Sequence, residues 1–240
     1  MKAMLFAAGR GTRLQPLTNN TPKCLVKAGD RTLLEHNIQY LKNAGVDTVV
    51  VNVHHLADQV IAYVESQSFG VEIHTSHERD LLETGGGLLK ARHHFEDEDD
   101  FVVCNSDIYT DFDLRVLLGT HRAENNLATL VVAQRETSRY LRFDDHSLLC
   151  GWENRISGES ISWSSVHYTT KAFNGLQVMS PGIFDYMDGR EQAFSTIPVY
   201  LDAAEQGERI QAFPMGDAFW MDIGTPEKLD ALNEHLYHNK

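Results

Sequence analysis

The residues with the clearest chemical character lie close to the N-terminus. The apolar run Lys2–Ala8 is followed at once by residues 9–14, G-R-G-T-R-L. Glycines at the end of a strand let backbone N–H groups approach phosphate oxygens without obstruction by a Cβ. An arginine in such a loop offers a planar guanidinium that can bind two phosphate oxygens. The segment therefore predicts a phosphate-binding loop.

Two common phosphate loops are excluded by their spacing. A P-loop requires the string G-x-x-x-x-G-K-[ST], which is absent from the sequence. The dinucleotide motif G-x-G-x-x-G fails at its third glycine, where Leu14 stands, and the second strand is followed by residues 52–55, N-V-H-H, instead of an acid. What remains is G-x-G-T-R-L, followed by P-L-T at residues 16–18 and T-P-K at residues 21–23.

With these motifs, the sequence resembles the sugar-1-phosphate nucleotidyltransferase family. The family signature A-G-x-G-T-R-L-x-P-L-T, followed by P-K-x-L-V, is matched by residues 8–18 and 22–26. Residues 83–87, E-T-G-G-G, match the family's E-T-G-G block. Residues 105–107, N-S-D, stand where the family usually has N-G-D, and residues 220–226 match W-x-D-I-G-T-P.

The resemblance implies a reaction in which a sugar phosphate oxygen attacks the α-phosphorus of a nucleoside triphosphate and pyrophosphate leaves. Two polyanions must meet, so such a site needs cations, a metal ion and orientation more than an acid–base pair. The catalytic residues that it implies are Arg13, Lys23, Asp107 and Asp222.

Further residues are expected to bind the two substrates. The expected nucleotide-binding set is Ala8, Gly9, Gly11, Thr12, Arg13, Lys23, Gly86 and Gly87, and the expected sugar-binding set is Asn105, Ser106, Glu159 and Asn174. Close packing of helix on strand is an alternative role for the glycines of residues 85–87, and a turn role is an alternative for Asn174. Ser106 departs from the usual glycine of the family.

Asp107 and Asp222 are also the expected magnesium ligands. Mg²⁺ prefers oxygen ligands and keeps several waters, so one or two carboxylates and substrate phosphates suffice. Capping of a turn or helix is the alternative role for each aspartate. The neighbouring histidines 54–55 and 93–94 are not expected to chelate, since adjacent side chains point in different directions.

Alternating strands and helices must position these residues. Strands are predicted at Lys2–Ala8, Thr48–Val53, Val71–Ser76, Phe101–Asn105 and Leu127–Arg135. Helices are predicted after the capping box of Thr32 and Glu35, and at Leu56–Ser66 and Thr84–His94. This order predicts an α/β fold with a doubly wound, mostly parallel Rossmann-like sheet and helices on both faces.

The second half of the chain has a different pattern. Residues 136–171 predict short antiparallel strands in a small β-rich lid, followed by a helix at Ser195–Gln206, strands at Arg209–Phe213 and Phe219–Ile223, and a last helix with Thr225 as N-cap. We expect one nucleotidyltransferase domain over residues 1–240. Residues 1–135 form its nucleotide-binding part, and residues from about 136 to 240 form the sugar-binding lid and complete the sheet. No C-terminal β-helix domain is expected.

Charge and composition restrict the partners. The net charge of −13 argues against nucleic acid and anionic membranes, although residues 1–31 carry +5 and can receive a small polyanion. No apolar run is long enough for a membrane span. The cysteines, Cys24, Cys104 and Cys150, have no metal-binding spacing and indicate buried thiols in a cytoplasmic protein. The expected partners are a nucleoside triphosphate, a sugar 1-phosphate and magnesium, in a monomer or homodimer.

Length and the E-T-G-G-G string make the chain look similar to N-acetylmuramate-1-phosphate uridylyltransferases, which is the first expectation for its activity. Mannose- and heptose-1-phosphate guanylyltransferases share nearly the same signatures. Cytidylyltransferases of other acceptors, such as phosphocholine, share much of the N-terminal pattern. A non-catalytic nucleotide-sugar-binding regulator is the remaining alternative, which retention of both carboxylates and both cations disfavours.

Overall fold

The computed structural model describes residues 1–163 and 166–238. Its strands are β1 (Lys2–Phe6), β2 (Lys27–Ala28), β3 (Arg31–Thr32), β4 (Thr48–Val53), β5 (Glu72–His77), β6 (Phe101–Asn105), β7 (Ile108–Thr110), β8 (Ala128–Ala133), β9 (Arg139–Phe143), β10 (Leu149–Asn154), β11 (Ser160–Ser162), β12 (Thr169–Met179), β13 (Ile210–Pro214) and β14 (Trp220–Asp222). Its α-helices are α1 (Leu33–Asn43), α2 (Ala57–Ser66), α3 (Glu83–Lys90), α4 (Leu114–Ala123), α5 (Thr196–Glu205) and α6 (Pro226–His238).

A large twisted sheet forms the centre of the molecule. Its strand order is β11-β10-β9-β12-β6-β1-β4-β5, and β8 joins β12 to β13. The strands β6, β1, β4 and β5 are parallel to one another, whereas β12 runs antiparallel to β6. The predicted α/β fold is confirmed. Because β1 and β6 are neighbours and run in the same direction, the loops that follow them lie at the same edge of the sheet.

Hydrophobic side chains cover both faces of this sheet. One core contains Leu5 and Val51 from the strands and Ile38 from α1. The other contains Met4 and Val103, which point to the opposite face. Alternate residues of the parallel strands are thus buried on both sides, which explains their continuous apolar sequences.

The N-terminus of α1 has the predicted capping box. The Thr32 hydroxyl accepts a hydrogen bond from Glu35 N at 3.1 Å, and the Glu35 carboxylate accepts one from Thr32 N at 2.6 Å. The helix then buries Leu34, Ile38 and Leu41 at helical spacing. A capping box satisfies two backbone donors at once, and thereby fixes where the helix begins.

The antiparallel strands predicted within residues 136–171 are present as β9, β10 and β11. They continue the central sheet, because β9 pairs with the first residues of β12. The last residues of β12 pair with β6 and β8 instead. One long strand therefore connects the parallel part of the sheet to this β-rich extension.

Some boundaries differ from the sequence prediction. β1 ends at Phe6 instead of Ala8, and the predicted helix Thr84–His94 is divided into α3 and a separate 3₁₀ turn at Arg92–His94. The helix α4 was not predicted. Asp113 caps it, accepting from Arg115 N at 3.0 Å. Within the described ranges, no helix is long and apolar enough to cross a membrane.

Candidate active site

A cavity of about 330 Å³ opens where β1 and β6 end. Its wall combines the glycine-rich loop, the loop after β6 and the start of α3. The lining residues are Phe6, Ala7, Ala8, Gly9, Gly11, Thr12, Arg13, Lys23, Asn52, Leu81, Glu83, Thr84, Asn105, Ser106, Asp107 and Gly224. The structure thus places Lys23 and Asp107 beside the predicted phosphate loop, which contains Arg13. Asp107 is distant from that loop in the sequence.

The conformation of the phosphate loop requires glycine at position 11. Gly11 has φ +64°, a left-handed conformation that other residues rarely adopt. A Cβ there would lie 3.0 Å from Lys23 Cβ and 3.0 Å from Thr18 Cγ2. The Thr18 hydroxyl also donates to Gly11 O at 2.7 Å. Gly11 therefore allows the loop to lie directly against the residue that carries the Lys23 ammonium.

Lys23 and Asp107 form an ion pair at the wall of the cavity. The distance from Lys23 Nζ to Asp107 Oδ2 is 2.5 Å, and the side chains are 12% and 30% exposed. This pairing holds an ammonium and a carboxylate at one point of the wall, where both can still be reached from the cavity. Burial raises the pKa of the adjacent Cys24 thiol to about 12, so this cysteine stays protonated and uncharged.

Arg13 lies against the backbone of Gly224. A Cβ at Gly224 would lie 3.1–3.3 Å from the guanidinium atoms of Arg13. The missing side chain at Gly224 thus leaves space for the arginine. This contact connects the two ends of the chain, since Gly224 belongs to the W-x-D-I-G-T-P string and Arg13 to the N-terminal loop.

Asp107 and Asp222 lie on adjacent backbones. Ile223 N donates to Asp107 O at 2.6 Å, and Asp222 is the register partner of Ile108 in the β7–β14 pair. Asp107 lines the cavity, whereas Asp222 is outside its lining and forms an ion pair with Lys228. The backbones of the two aspartates are therefore neighbours in space, and their expected shared role as magnesium ligands stays a prediction.

The two carboxylates fit a divalent cation of the magnesium type. Their side chains are 30% and 29% exposed, so a cation can reach both from solvent. Both offer oxygen, the ligand that Mg²⁺ prefers. In the part of the chain that the structure describes, no group of three or more His, Cys, Asp or Glu side chains could hold a metal ion. The chemistry of the two side chains is compatible with such an ion, and any further ligands would have to come from substrate phosphates and water.

The glycines of α3 face the protein and not the cavity. A Cβ at Gly86 would overlap Gln192 O, and one at Gly87 would lie 2.6 Å from Glu78 Oε1. Gly86 and Gly87 are not among the residues that line this cavity, and close packing explains why both are glycine. Their expected nucleotide contacts stay a prediction. Leu81, Glu83 and Thr84 supply the cavity wall at this end.

A buried carboxylate behind this wall was missed by the sequence analysis. Glu78 is fully buried; it accepts from Asn52 Nδ2 at 2.7 Å and from Leu82 N at 3.0 Å. Asn52 Oδ1 in turn accepts from Ala7 N at 2.7 Å. A sequence signal could have identified Asn52. It is a polar residue near the end of an otherwise apolar parallel strand, at the edge of the sheet where ligands bind.

The predicted sugar-binding residues do not all lie together. Asn105 and Ser106 line the cavity. Asn174 is buried outside the lining, where its Oδ1 accepts from Arg135 Nε at 3.1 Å. Glu159 is exposed at the β10–β11 hairpin, where it accepts from the Ser157 hydroxyl. Glu159 is not among the residues that line the cavity, and its expected sugar contact stays a prediction.

Arg135 was also missed, and it connects Asn174 to Trp220, two residues before Asp222. Its guanidinium lies over the Trp220 ring at 4.7 Å and donates to Phe173 O at 2.7 Å. Burial lowers the pKa of Arg135, and the negative charge of nearby Asp222 opposes this shift. Arg135 therefore adds a cation beside Asp222 that no sequence motif indicated.

Comparison with known proteins agrees with this architecture. The catalytic subunit beta of mannose-1-phosphate guanylyltransferase from Xenopus tropicalis is 31% identical over 231 residues, covering 95% of this chain and 62% of that protein. The UTP–glucose-1-phosphate uridylyltransferase of Synechocystis sp. is 30% identical over 250 residues, covering 97% of this chain and 62% of that protein. The chain thus spans 62% of the length of these relatives.

Solved structures show the same fold. HddC from Yersinia pseudotuberculosis, complexed with GMP-PN, superposes with a TM-score of 0.77 at 21% identity, covering 98% of this chain and 99% of the other. A putative glucose-1-phosphate thymidylyltransferase from Bacillus anthracis has a TM-score of 0.83 at 19% identity, covering 98% of this chain and 94% of the other. The sequence model of the nucleotidyl transferase family matches residues 2–145. The chain therefore belongs to the nucleotidyl transferase family.

Proposed function

We propose that the protein transfers a nucleotidyl group from a nucleoside triphosphate to a sugar 1-phosphate and releases pyrophosphate. The observation that supports this most strongly is the meeting of Arg13, Lys23 and Asp107 around a glycine-rich loop in one cavity. Two cations beside backbone donors suit polyanionic substrates, and a carboxylate beside them suits a metal that accompanies the phosphates.

In the proposed reaction, an oxygen of the sugar phosphate forms a bond to the α-phosphorus. The bond from the α-phosphorus to the oxygen that bridges it to the β-phosphorus breaks, and its electron pair leaves with pyrophosphate. The attacking oxygen is already anionic, so no general base is needed. Arg13 stabilises the charge of the α-phosphoryl group during transfer, and Lys23 brings the two phosphates together.

A divalent ion, held by Asp107 and Asp222, would neutralise phosphate charge in this site. The residues of the chain have separate tasks. Lys23 keeps the Asp107 carboxylate at the cavity wall through their ion pair. Arg13 is kept in place by its contact with the Gly224 backbone. Ser106, beside Asp107 in the wall, contacts the sugar.

The relatives support particular substrate pairs. Their names point to GTP with mannose 1-phosphate and to UTP with glucose 1-phosphate. UTP with N-acetylmuramate 1-phosphate follows from the E-T-G-G-G string and stays a prediction. We infer that the leading pair is GTP with mannose 1-phosphate, because three of the relatives most similar in sequence bear that activity in their names.

The test is a screen for pyrophosphate release. UTP, GTP, CTP and dTTP are each combined with the 1-phosphates of mannose, glucose, heptose and N-acetylmuramate, and with phosphocholine. One pair should exceed the others by at least about tenfold in kcat/KM, a difference of about 1.4 kcal/mol. Nucleotide binding without turnover on any pair would instead indicate a regulator, and preference for phosphocholine would contradict the sugar assignment.

A further inference from the structure

Asn37 is a buried polar residue on α1 that no part of the proposed mechanism uses. It is 4% exposed and does not line the 330 Å³ cavity. Its amide nitrogen donates to Leu33 O at 2.9 Å, to Ser106 O at 3.2 Å and to Ile108 O at 3.0 Å. The last two carbonyls belong to the residues immediately before and after Asp107.

The segment around Asp107 is held from three directions. Ser106 N donates to Phe6 O at 3.0 Å, and Ile223 N donates to Asp107 O at 2.6 Å. Those two bonds come from the backbones of β1 and of the residue after β14. Asn37 contributes the side chain that binds the segment from the helix side, and its two amide hydrogens are shared among three carbonyls.

We propose that Asn37 is a positioning residue that sets the direction of the Asp107 carboxylate toward Lys23 and the reacting phosphates. The inference rests on the proposed function of that carboxylate. The bond to Ser106 O fixes the peptide plane before Asp107, and the bond to Ile108 O fixes the plane that follows Ile108. The plane between Asp107 and Ile108 is held by Ile223 N, which donates to Asp107 O. Together these bonds determine where the Asp107 Cα–Cβ bond points. Carboxylates that act on phosphates and metals need such supporting hydrogen bonds to hold their geometry.

The chemistry at position 37 requires a donor. Aspartate has the same shape but would place a second acceptor against the three carbonyls. Leucine has a similar volume but leaves Ser106 O and Ile108 O without the amide. Asn43 provides a matched control on the same helix, since it is exposed and contacts only Gln39 among its described side-chain hydrogen bonds.

The first experiment measures kinetics of Asn37→Leu with the best substrate pair. We expect kcat to fall by about 10- to 100-fold, with KM for both substrates nearly unchanged, while Asn43→Asp behaves like the wild type. Asn37→Ser, which keeps a hydroxyl donor and leaves room for water, should lose less activity and serves if Asn37→Leu does not fold. A folded Asn37→Leu enzyme with normal kcat would overturn the inference.

A second measurement separates positioning from general stability. If Asn37 acts through Asp107, adding Asn37→Leu to Asp107→Asn should not lower kcat further, because residues that act as a unit are not additive. If the fold-losses of kcat in Asn37→Leu and Asp107→Asn multiply in the double variant, the inference is contradicted.

A crystal structure of Asn37→Leu tests the geometry without any assay. The Lys23 Nζ to Asp107 Oδ2 distance, now 2.5 Å, should lengthen beyond hydrogen-bond range. An unchanged ion pair would overturn the positioning role. This result stands even if no substrate pair is turned over, whereas inactivity of the wild type would overturn only the proposed function.

Discussion

The amide of Asn52 and the carboxylate of Glu78 form a buried hydrogen bond of 2.7 Å behind the cavity wall. The carboxylate also binds Leu82 N, and the amide oxygen binds Ala7 N. One charged group thus connects the loop after β1 with the start of the wall at residues 81–84. Each donor in this chain faces an acceptor, so the direction of the amide is fixed.

The direction of the hydrogen bond from Asn52 to Glu78 can be tested by exchanging the amide and the carboxylate between the two positions. Glu78→Gln places a second amide beside Asn52, and Asn52→Asp places a second carboxylate beside Glu78. Each single variant leaves a mismatched buried pair, which costs about 1–3 kcal/mol of unfolding free energy. In the double variant, the new amide at position 78 can donate to the new carboxylate at position 52. That carboxylate still accepts from Ala7 N, and the net charge is conserved, so we expect the double variant to regain most of the stability.

Urea unfolding and the KM for the nucleotide are the measurements. Both single variants should raise that KM, and the double variant should lower it again. Glu65→Gln, at an exposed position of α2, is the control for loss of one charge. If the losses in unfolding free energy of the two single variants simply add in the double variant, the proposed chain of contacts is contradicted.

The carboxylates of Asp107 and Asp222 should be required for turnover. Asp107→Asn and Asp222→Asn keep the shape of each side chain and remove its charge, so we expect each to lower kcat by about a hundredfold or more. Chelation of divalent ions with EDTA should do the same to the wild type, and added Mg²⁺ should reverse it. Thermal unfolding should show that both variants fold.

Asp113→Asn is the matched control for these substitutions, because asparagine also caps a helix N-terminus and Asp113 caps α4. It should retain full activity. Activity that survives both EDTA and the two substitutions together would remove the metal assignment.

The contact of Arg13 with Gly224 predicts an effect of a single methyl group. Gly224→Ala would place a Cβ 3.1–3.3 Å from the guanidinium, which must then move by a few tenths of an ångström. The end of a flexible side chain can move at little cost to folding, so stability should be retained. Small misplacement of a catalytic group can lower the rate strongly, and we expect kcat to fall by about tenfold or more with a smaller change in nucleotide KM.

Gly119→Ala provides the comparison, since a Cβ at that position of α4 meets no atom within 4 Å. It should leave kcat unchanged. In an Arg13→Ala background, Gly224→Ala should have no further effect on kcat. If it still lowers kcat there, the alanine acts through something other than the arginine.

His121 should make the protein less stable in acid. It is 2% exposed, its ring nitrogens contact the hydroxyls of Thr129 and Ser180, and burial lowers its pKa to about 4. In the unfolded chain the His121 imidazole binds its proton near pH 6.5. Between about pH 4 and 6.5 the unfolded chain therefore holds more protons than the folded protein. Stability therefore rises with pH through that window, and roughly 2–3 kcal/mol is lost between pH 7 and 4.5.

Urea unfolding at pH 7 and 4.5 measures this difference. His121→Gln, which retains hydrogen-bonding capacity, should lose less stability than the wild type over that interval. His146→Gln, at an exposed turn, should match the wild type. An identical acid loss in the His121 variant would assign the effect to other groups.

The sequence predicted the parts of the site that local pattern determines. The strand at Thr48–Val53, the capping box of Thr32 and the phosphate loop follow from periodicity and from residue types within a few positions. The family motifs also indicated which distant residues should share one cavity. Contacts outside those motifs could not be found in this way. Asn37 meets the Asp107 segment, and Arg135 meets Trp220, only because the sheet order brings those elements together.

The glycines of α3 show the limit of a motif most clearly. Gly85 N and Gly86 N both donate to Phe194 O, at 2.7 and 3.2 Å, and a Cβ at Gly86 would overlap Gln192 O. The string at residues 83–87 is therefore matched to the backbone that precedes α5. Homologues that place a larger residue at position 86 need a different path at residues 192–194, so these two segments should covary in evolution. Exchanging one segment between homologues without the other should yield poorly folded chimaeras.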